Sequence, residues 1–241
     1  MNRLLTLSLC LLFLLGLTVG VGTHAQEKKQ AKEQPAAEGS AKNDATGVKV
    51  EIEPGSLLDQ MELARTAATL VRTGRESKDP ESLIVAARLL ARVDIQDLKK
   101  RVEKDSKLDL PPSVLTPSML LDEAAKLGNG KANIEASVKA ARQALSESPR
   151  GRIPGPFGTS AVVPPGYFYT VNQNFSGYNR IDYSSTTPGA RLSLKVYAPT
   201  GQLLGEYIGA CVWIEWFGTG TYHIEHRNLS PFPVDSMILT N

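Results

Sequence analysis

His223, Glu225 and Arg227 occupy alternate positions near the C-terminal end of the chain. In an extended strand that spacing puts all three side chains on one face. An imidazole beside a carboxylate is the raw material of a metal site or of acid–base catalysis. One strand gives only two such ligands, however, and His226 falls on the opposite face, so the pattern supports solvated sheet residues. Catalytic and metal-ligating residues are therefore expected to be none. Tyr197, Tyr207 and Trp213 are the candidate ligand platform, because flat rings can stack on a sugar or a peptide. Packing in the core or on the sheet surface competes for the same three side chains. Cys211 lies in an apolar strand pattern and reads as a buried, inert thiol, with no base or electropositive pocket implied around it. No Gly-x-Ser-x-Gly elbow, His-Glu-x-x-His helix or phosphate-cradling glycine loop occurs, and no cofactor is expected. Asn174-Phe175-Ser176 and Asn228-Leu229-Ser230 match the glycan acceptor pattern.

The elements that would position these residues follow from composition. The 241 residues carry 27 Lys+Arg against 25 Asp+Glu, a formal net charge of +2, which argues against a nucleic-acid partner. The basic run Lys99-Lys100-Arg101 is interleaved with Glu103 and Asp105, the signature of a solvated helix face. Hydrophobic residues make up 41%, enough for a packed core, and two cysteines are too few for a disulfide scaffold.

Residues 1–25 read as a secretory signal peptide. Arg3 precedes the Leu-rich run Leu4 to Val21, and Thr23-His24-Ala25 is a small-x-small cleavage site. Cys10 sits inside the apolar run after Leu9, so it is no lipidation site. The expectation is an exported protein, periplasmic or extracellular, with no membrane span once the signal is removed.

The remaining chain divides by chemistry. Residues 26–47 contain no large hydrophobe and read as a disordered tether. Between Gln26 and Pro156 there is no Phe, Tyr or Trp, whereas Phe157 to Asn241 holds fourteen. Those last 85 residues carry four positive and five negative side chains, against 22 and 20 in the 131 before them. Two parts so different are expected not to share a core. Residues 48–148 form the expected helical domain, 149–160 a Pro/Gly linker, and 161–241 a β-sandwich.

In the helical part, Asp79-Pro80 and Thr116-Pro117 are helix starts with a cap followed by proline. Gly74 and Gly128 mark expected ends, and Ile95, Leu98 and Val102 lie in an expected shorter helix. Glu81 to Ala91 and Glu135 to Leu145 share a glutamate and an Ala-Ala-Arg triplet at an offset of 54, consistent with two helical hairpins side by side or with an ordinary four-helix bundle. In the last part, Arg191 to Ala198 alternates cleanly. Turns separate it from Leu203 to Ile208, Ala210 to Phe217, Thr221 to Arg227 and Val234 to Thr240. Tyr167 to Val171 and Asn179 to Tyr183 make seven short strands, an antiparallel sandwich. Leu194, Val196, Ile214, Trp216, Tyr222 and Ile224 fall on its inner side.

The succession LSLKVYAPTGQLLGEY, then CVWIEWFGTGTYHIEHRNLSPFPVDSMILTN, resembles the pre-peptidase C-terminal (PPC) domain of secreted bacterial proteins. That family has an acidic-Pro-x-Gly turn and a Thr-Gly-x-Tyr-x-Ile-x-x-x-Asn strand; the positions carried over here are Pro199, Gly201, Trp216, Gly220, Tyr222, Ile224, Asn228, Thr240 and Asn241. The resemblance covers about a third of the chain. It implies a jelly-roll-like β-sandwich acting as an accessory, non-catalytic module. The family's Asp-rich stretch is replaced by Thr187-Pro188-Gly189-Ala190-Arg191, so the calcium site of some relatives is not implied.

The expected fold is thus α+β and multidomain: a helical hairpin or bundle segment followed by an antiparallel jelly-roll-like sandwich. The expected function is that of an exported non-enzymatic protein, with a helical interaction scaffold and an accessory binding or stabilising module. Its partner would be a protein or a cell-envelope polymer. The alternatives are a carbohydrate- or envelope-binding module using the sandwich aromatics and, less favoured, a hydrolase.

Overall fold

The computed structural model describes residues 53–100, 115–147 and 155–241, together with the backbone of 32–33. The export segment 1–25, most of the expected tether, Val102 and most of the Pro/Gly seam lie outside the described residues. The described residues belong to one compact unit, Ala31–Asn241.

Among the described residues four α-helices precede the long strands. Helix α1 (Leu57–Ser77) starts where the Ser56 hydroxyl accepts from the Asp59 amide, and it ends at Lys78 in the left-handed conformation. Helix α2 (Pro80–Leu90) is capped by Asp79, whose carboxylate accepts from the Glu81 and Ser82 amides. Helix α3 (Pro117–Gly128) has Thr116 as its cap, and α4 (Ala132–Glu147) follows a left-handed Asn129. The cap-plus-proline starts are therefore observed, since proline preorganises the first turn and lacks only an N–H that would have no helical partner. Gly74 does not end α1. It lies within the helix because α2 crosses there: an added Cβ would stand 3.0 Å from Ser82 Cβ and 3.1 Å from Asp79 O. Met61, Ala64, Ala68 and Val71 of α1 pack with Leu83, Ala86, Ala87 and Leu90 of α2, and with Leu120, Leu121 and Ala124 of α3.

The strands are β1 (Lys32–Glu33), β2 (Gln96–Asp97), β3 (Phe157–Val163), β4 (Phe168–Phe175), β5 (Tyr178–Ser185), β6 (Leu192–Tyr197), β7 (Leu203–Gly209), β8 (Cys211–Phe217), β9 (Gly220–Asn228) and β10 (Val234–Thr240). They form two sheets, β1-β7-β6-β9-β4 and β2-β3-β10-β5-β8. All pairings among β3 to β10 are antiparallel, and the two-residue strands β1 and β2 join the edges in parallel. The inner faces meet in one cluster that holds Leu194, Val196, Ile214, Trp216, Tyr222 and Ile224, as alternation predicts.

Three expectations change. Phe157 to Ser160 lie in a strand rather than in the linker. Their small residues look like a hinge in sequence, yet Gly158 is small because β10 lies against it: an added Cβ would sit 2.5 Å from a Leu239 methyl. Leu98 does not lie in an α-helix but opens a 3-10 turn after β2, and it is buried in the sandwich core. The helical and sandwich parts also do not keep separate cores. Met237 and Leu239 point outward from β10 into the helical cluster, because alternation gives a buried strand two apolar faces when a helical layer covers the outer one.

Candidate ligand-binding groove

The two sheets present their outer faces to different surroundings. On the helix-covered sheet, Arg180, Asp182 and Glu215 point away from the sandwich core and end up buried beneath α1. Arg180 and Asp182 are each 1% exposed and make a forked pair, Nε–Oδ1 2.7 Å and Nη2–Oδ2 3.0 Å. Arg180 Nη1 also reaches Glu62 Oε1 of α1 at 2.6 Å and Glu215 Oε1 at 3.3 Å. Arg65 pairs with Glu62, and its guanidinium lies 4.3 Å from the centre of the Trp213 ring. Burial disfavours the ionised Glu62, but Arg180 and Arg65 outweigh that and hold its carboxyl below the usual range. Burial pushes the Asp182 carboxyl up, and Arg180 offsets only part of the rise. Three carboxyls share two guanidiniums here, so a surplus of negative charge is in keeping with that direction. A second tie joins α1 and α3 to the sandwich: Arg75 donates to both Glu123 oxygens and to the Thr186 carbonyl and hydroxyl.

The second sheet has no helix over it among the described residues, and its outward side chains form rows set by register. Tyr197 lies opposite His223, which lies opposite Asn172. One step along, Glu206, Lys195, Glu225 and Thr170 line up. Beyond the first row the Pro199-Thr200 turn closes back: Gly201 N donates to Ala198 O at 2.8 Å, with Gly201 at φ 82°. The result is a groove of about 360 Å³ lined by Asn172, Tyr197, Ala198, Pro199, Thr221, His223 and Glu225 among others. The His223 Nδ1 and Asn172 Oδ1 atoms are 2.7 Å apart, and the Tyr197 and His223 rings are 5.7 Å apart and inclined by 49°. An inclined ring beside an amide, an imidazole and a carboxylate suits a ligand with one apolar face and several hydroxyls.

The three aromatic residues expected as one platform are separated. Tyr197 lines the groove. Tyr207 pairs with the inward-facing Leu194 and packs at the margin of the sandwich core, where burial raises its hydroxyl pKa. Trp213 lies on the helix-covered sheet beneath Arg65. Alternation alone could not say which of the two outer faces would be covered. His223, Glu225 and Arg227 do share a face, and His226 is buried on the other. The groove's remaining residues were legible only in part: Asn172 comes from a strand fifty-one residues away from His223, and nothing in spacing announces that neighbour.

Cys211 is half-exposed rather than buried in the sandwich core. Its Sγ accepts from Arg72 Nη1 at 3.0 Å and lies 3.5 Å from Thr69 Oγ1. Asn228, carried by the family resemblance, is fully buried. Its amide donates to the carbonyls of Val163, Pro164 and Phe232 while its oxygen accepts from the Ser230 amide. It pins three segments and is not an accessible glycan acceptor in the folded protein. Among the described residues no group of three or more His, Cys, Asp or Glu is placed to hold a metal, and no helix is long and apolar enough to cross a membrane.

No family model matches the chain, and no curated protein matches it. Similarity to solved structures is faint. The GH115 4-O-methyl-alpha-glucuronidase BtGH115A, with specificity for decorated arabinogalactans, aligns over 73% of this chain and 28% of its own, at 11% identity and a TM-score of 0.24. This chain thus spans little more than a quarter of that enzyme. The C-terminal CBM6 of LamC from Zobellia galactanivorans aligns over 35% of this chain and 79% of its own, at 19% identity and a TM-score of 0.21. The iron(II) protein HppE, in complex with substrate, aligns over 73% and 98%, at 10% identity and a TM-score of 0.20. Likeness at this level carries no argument about function.

Proposed function

We propose that the chain is an exported, non-catalytic protein that binds carbohydrate on the open face of its sandwich. The helical layer braces the opposite face and offers a scaffold toward a further partner of the cell envelope. The observation that carries this reading is the asymmetry of the two outer faces. One is closed by helices and buried ion pairs, while the other holds a groove in which Tyr197 stands beside His223, Asn172 and Glu225. The interleaved strand orders β3-β10-β5-β8 and β4-β9-β6-β7 support the jelly-roll reading. The likeness to the pre-peptidase C-terminal family rests on the motif residues Pro199, Gly201, Gly220, Tyr222, Ile224 and Asn228. Export rests on Arg3, the Leu-rich run and the Thr23-His24-Ala25 site.

Two measurements test the proposal. N-terminal sequencing of secreted protein should begin at Gln26, and a start at Met1 refutes export. Titration calorimetry of the full mature chain against soluble oligosaccharides should show binding that Tyr197→Ala weakens by about tenfold, the worth of one stacked ring, with an unchanged unfolding midpoint. Binding to no oligosaccharide, or turnover of a glycoside or peptide substrate, overturns it.

A further inference from the structure

The groove's polar groups are unequal in kind, and this points to a narrower ligand class. An amide oxygen only accepts hydrogen bonds. Asn172 Oδ1 lies 2.7 Å from His223 Nδ1, so in the neutral imidazole the proton of that pair is on Nδ1 and Nε2 is the acceptor. Glu225 lies two residues along the same strand face, its Cα about 7 Å from that of His223. Lys195 stands between Glu225 and Glu206 in register, and its Nζ is 3.5 Å from Glu206 Oε1. No cation lies within ion-pair distance of Glu225 among the described residues. On this face Lys195 and Arg227 balance Glu206 and Glu225 in number, but of these four only Glu225 lines the groove. Of the remaining walls, Ala198, Pro199 and the Tyr197 ring are apolar and Thr221 is polar. The groove's lining thus offers acceptors, a carboxylate and an aromatic face, with no Arg or Lys among its residues.

Resting on the carbohydrate reading above, we infer that the groove selects an amino sugar with a free ammonium, such as the units of a glucosamine polymer. The ammonium pairs with Glu225 at the edge of the Tyr197 ring, an arrangement that adds cation–π attraction to the ion pair. A ring hydroxyl donates to His223 Nε2. The apolar side of the sugar lies on Tyr197 and Pro199. An acidic sugar is disfavoured by Glu225, and an N-acetylated one lacks the charge that Glu225 recognises.

Titration calorimetry on the full mature chain with three oligomers of equal length tests this: glucosamine, N-acetylglucosamine and glucose. Glucosamine should bind about tenfold or more tighter than the other two, the usual worth of a charge-assisted hydrogen bond. Glu225→Gln should bring the three affinities together, and Tyr197→Ala should weaken all three. Equal affinities in the unaltered protein overturn the inference while leaving the carbohydrate reading intact. Failure of all three to bind, alongside failure of every other oligosaccharide, removes both. An oligolysine peptide that binds as tightly as the glucosamine oligomer and is indifferent to Tyr197→Ala also overturns the inference, since plain cation attraction then accounts for the binding.

Discussion

Two ion-pair rows on opposite outer faces of the sandwich are each made of one basic residue among carboxylates. On one, Arg180 stands among Asp182, Glu215 and Glu62; on the other, Lys195 stands between Glu206 and Glu225. Lys195 sits between Leu194 and Val196, and Arg180 between Asn179 and Ile181, each on the outward side of its strand. Their surroundings differ completely: Arg180 and Asp182 are 1% exposed, whereas Lys195 and Glu206 are 27% and 30% exposed. The choice of base follows the surroundings. A planar guanidinium can satisfy two carboxylate oxygens at once and still reach a third group, which a buried position demands; an ammonium at a wet surface has no such need. The comparison teaches that an outward position on a strand is not yet a solvent position. The layer beyond the sheet decides.

The largest effect should come from breaking the covered row. Arg180→Ala leaves Asp182 and Glu215 buried without their cation, a loss of about 3–5 kcal/mol for removal of one partner from a buried pair. Urea denaturation of the mature chain measures it. Because Glu62 belongs to α1, the same substitution should also loosen the helices from the sandwich and make limited proteolysis between them easier. A cost under about 1 kcal/mol would mean that water reaches the pair, and the two faces would then differ only in degree.

An intermediate effect should come from between the sheets. His226 is fully buried, stacked on Tyr169 at 4.8 Å and edge-on to Tyr183 at 4.9 Å, and neither ring nitrogen has a hydrogen-bond partner. Burial lowers its pKa from 6.5 to about 3. The unfolded chain therefore takes up a proton near pH 6.5 that the folded chain refuses until near pH 3. This contribution to stability is complete above pH 6.5 and is lost as pH falls from there toward 3. At pH 5 the loss is about 2 kcal/mol. His226→Phe keeps a ring between the two tyrosines and removes the titration, so its unfolding free energy should be flatter between pH 6.5 and 5 than that of the unaltered protein. Glu62 is held below its usual range and so titrates under this window, and Asp182 keeps the same surroundings in both proteins, so the difference between the two isolates His226. Equal slopes would show that water reaches the interior through the open sheet, which would weaken the contrast between the faces.

How much was readable in the sequence can be judged residue by residue. Alternation placed Leu194, Ile214 and Trp216 inward, and they meet in one cluster, because a period of two leaves a strand only two choices. The helix starts at Asp79-Pro80 and Thr116-Pro117 were legible because capping is local chemistry. What failed was non-local. Trp213 and Cys211 read as outward or inert, yet Arg65 and Arg72 of α1 lie on them, contacts across some 140 residues of chain that no spacing encodes. Gly74 and Gly158 read as punctuation, and they are places where another element comes close. In the groove, His223 and Glu225 were visible as a same-face pair, but Tyr197 joins them only through the β6–β9 register and Asn172 only through β4–β9.

The smallest expected effect concerns Lys195, and it is the sharpest test of the comparison because it predicts almost nothing. Lys195 is one residue from the buried Leu194 and Val196, so a one-residue slip in strand register would put it in the core and them outside. Its pair with Glu206 is partly exposed and 3.5 Å long, a geometry in which solvent screening and lost side-chain freedom cancel most of the attraction. Lys195→Ala should therefore change stability by less than about 0.5 kcal/mol. Glu206→Ala should do the same, and the double variant should show a coupling no larger than about 0.5 kcal/mol. The matching cycle on Arg180 and Asp182 should give a coupling several times larger, since each single variant leaves a charge in a dry place and the double variant does not. Screening separates the rows a second time. Raising salt from about 0.1 M to 1 M shortens the Debye length from about 10 Å to 3 Å, which should erase the small Lys195 coupling and leave the Arg180 coupling largely in place. Couplings of similar size in the two cycles would mean that the helical layer does not exclude water from the sheet it covers, and the asymmetry from which the groove was assigned to the open face would lose its physical basis.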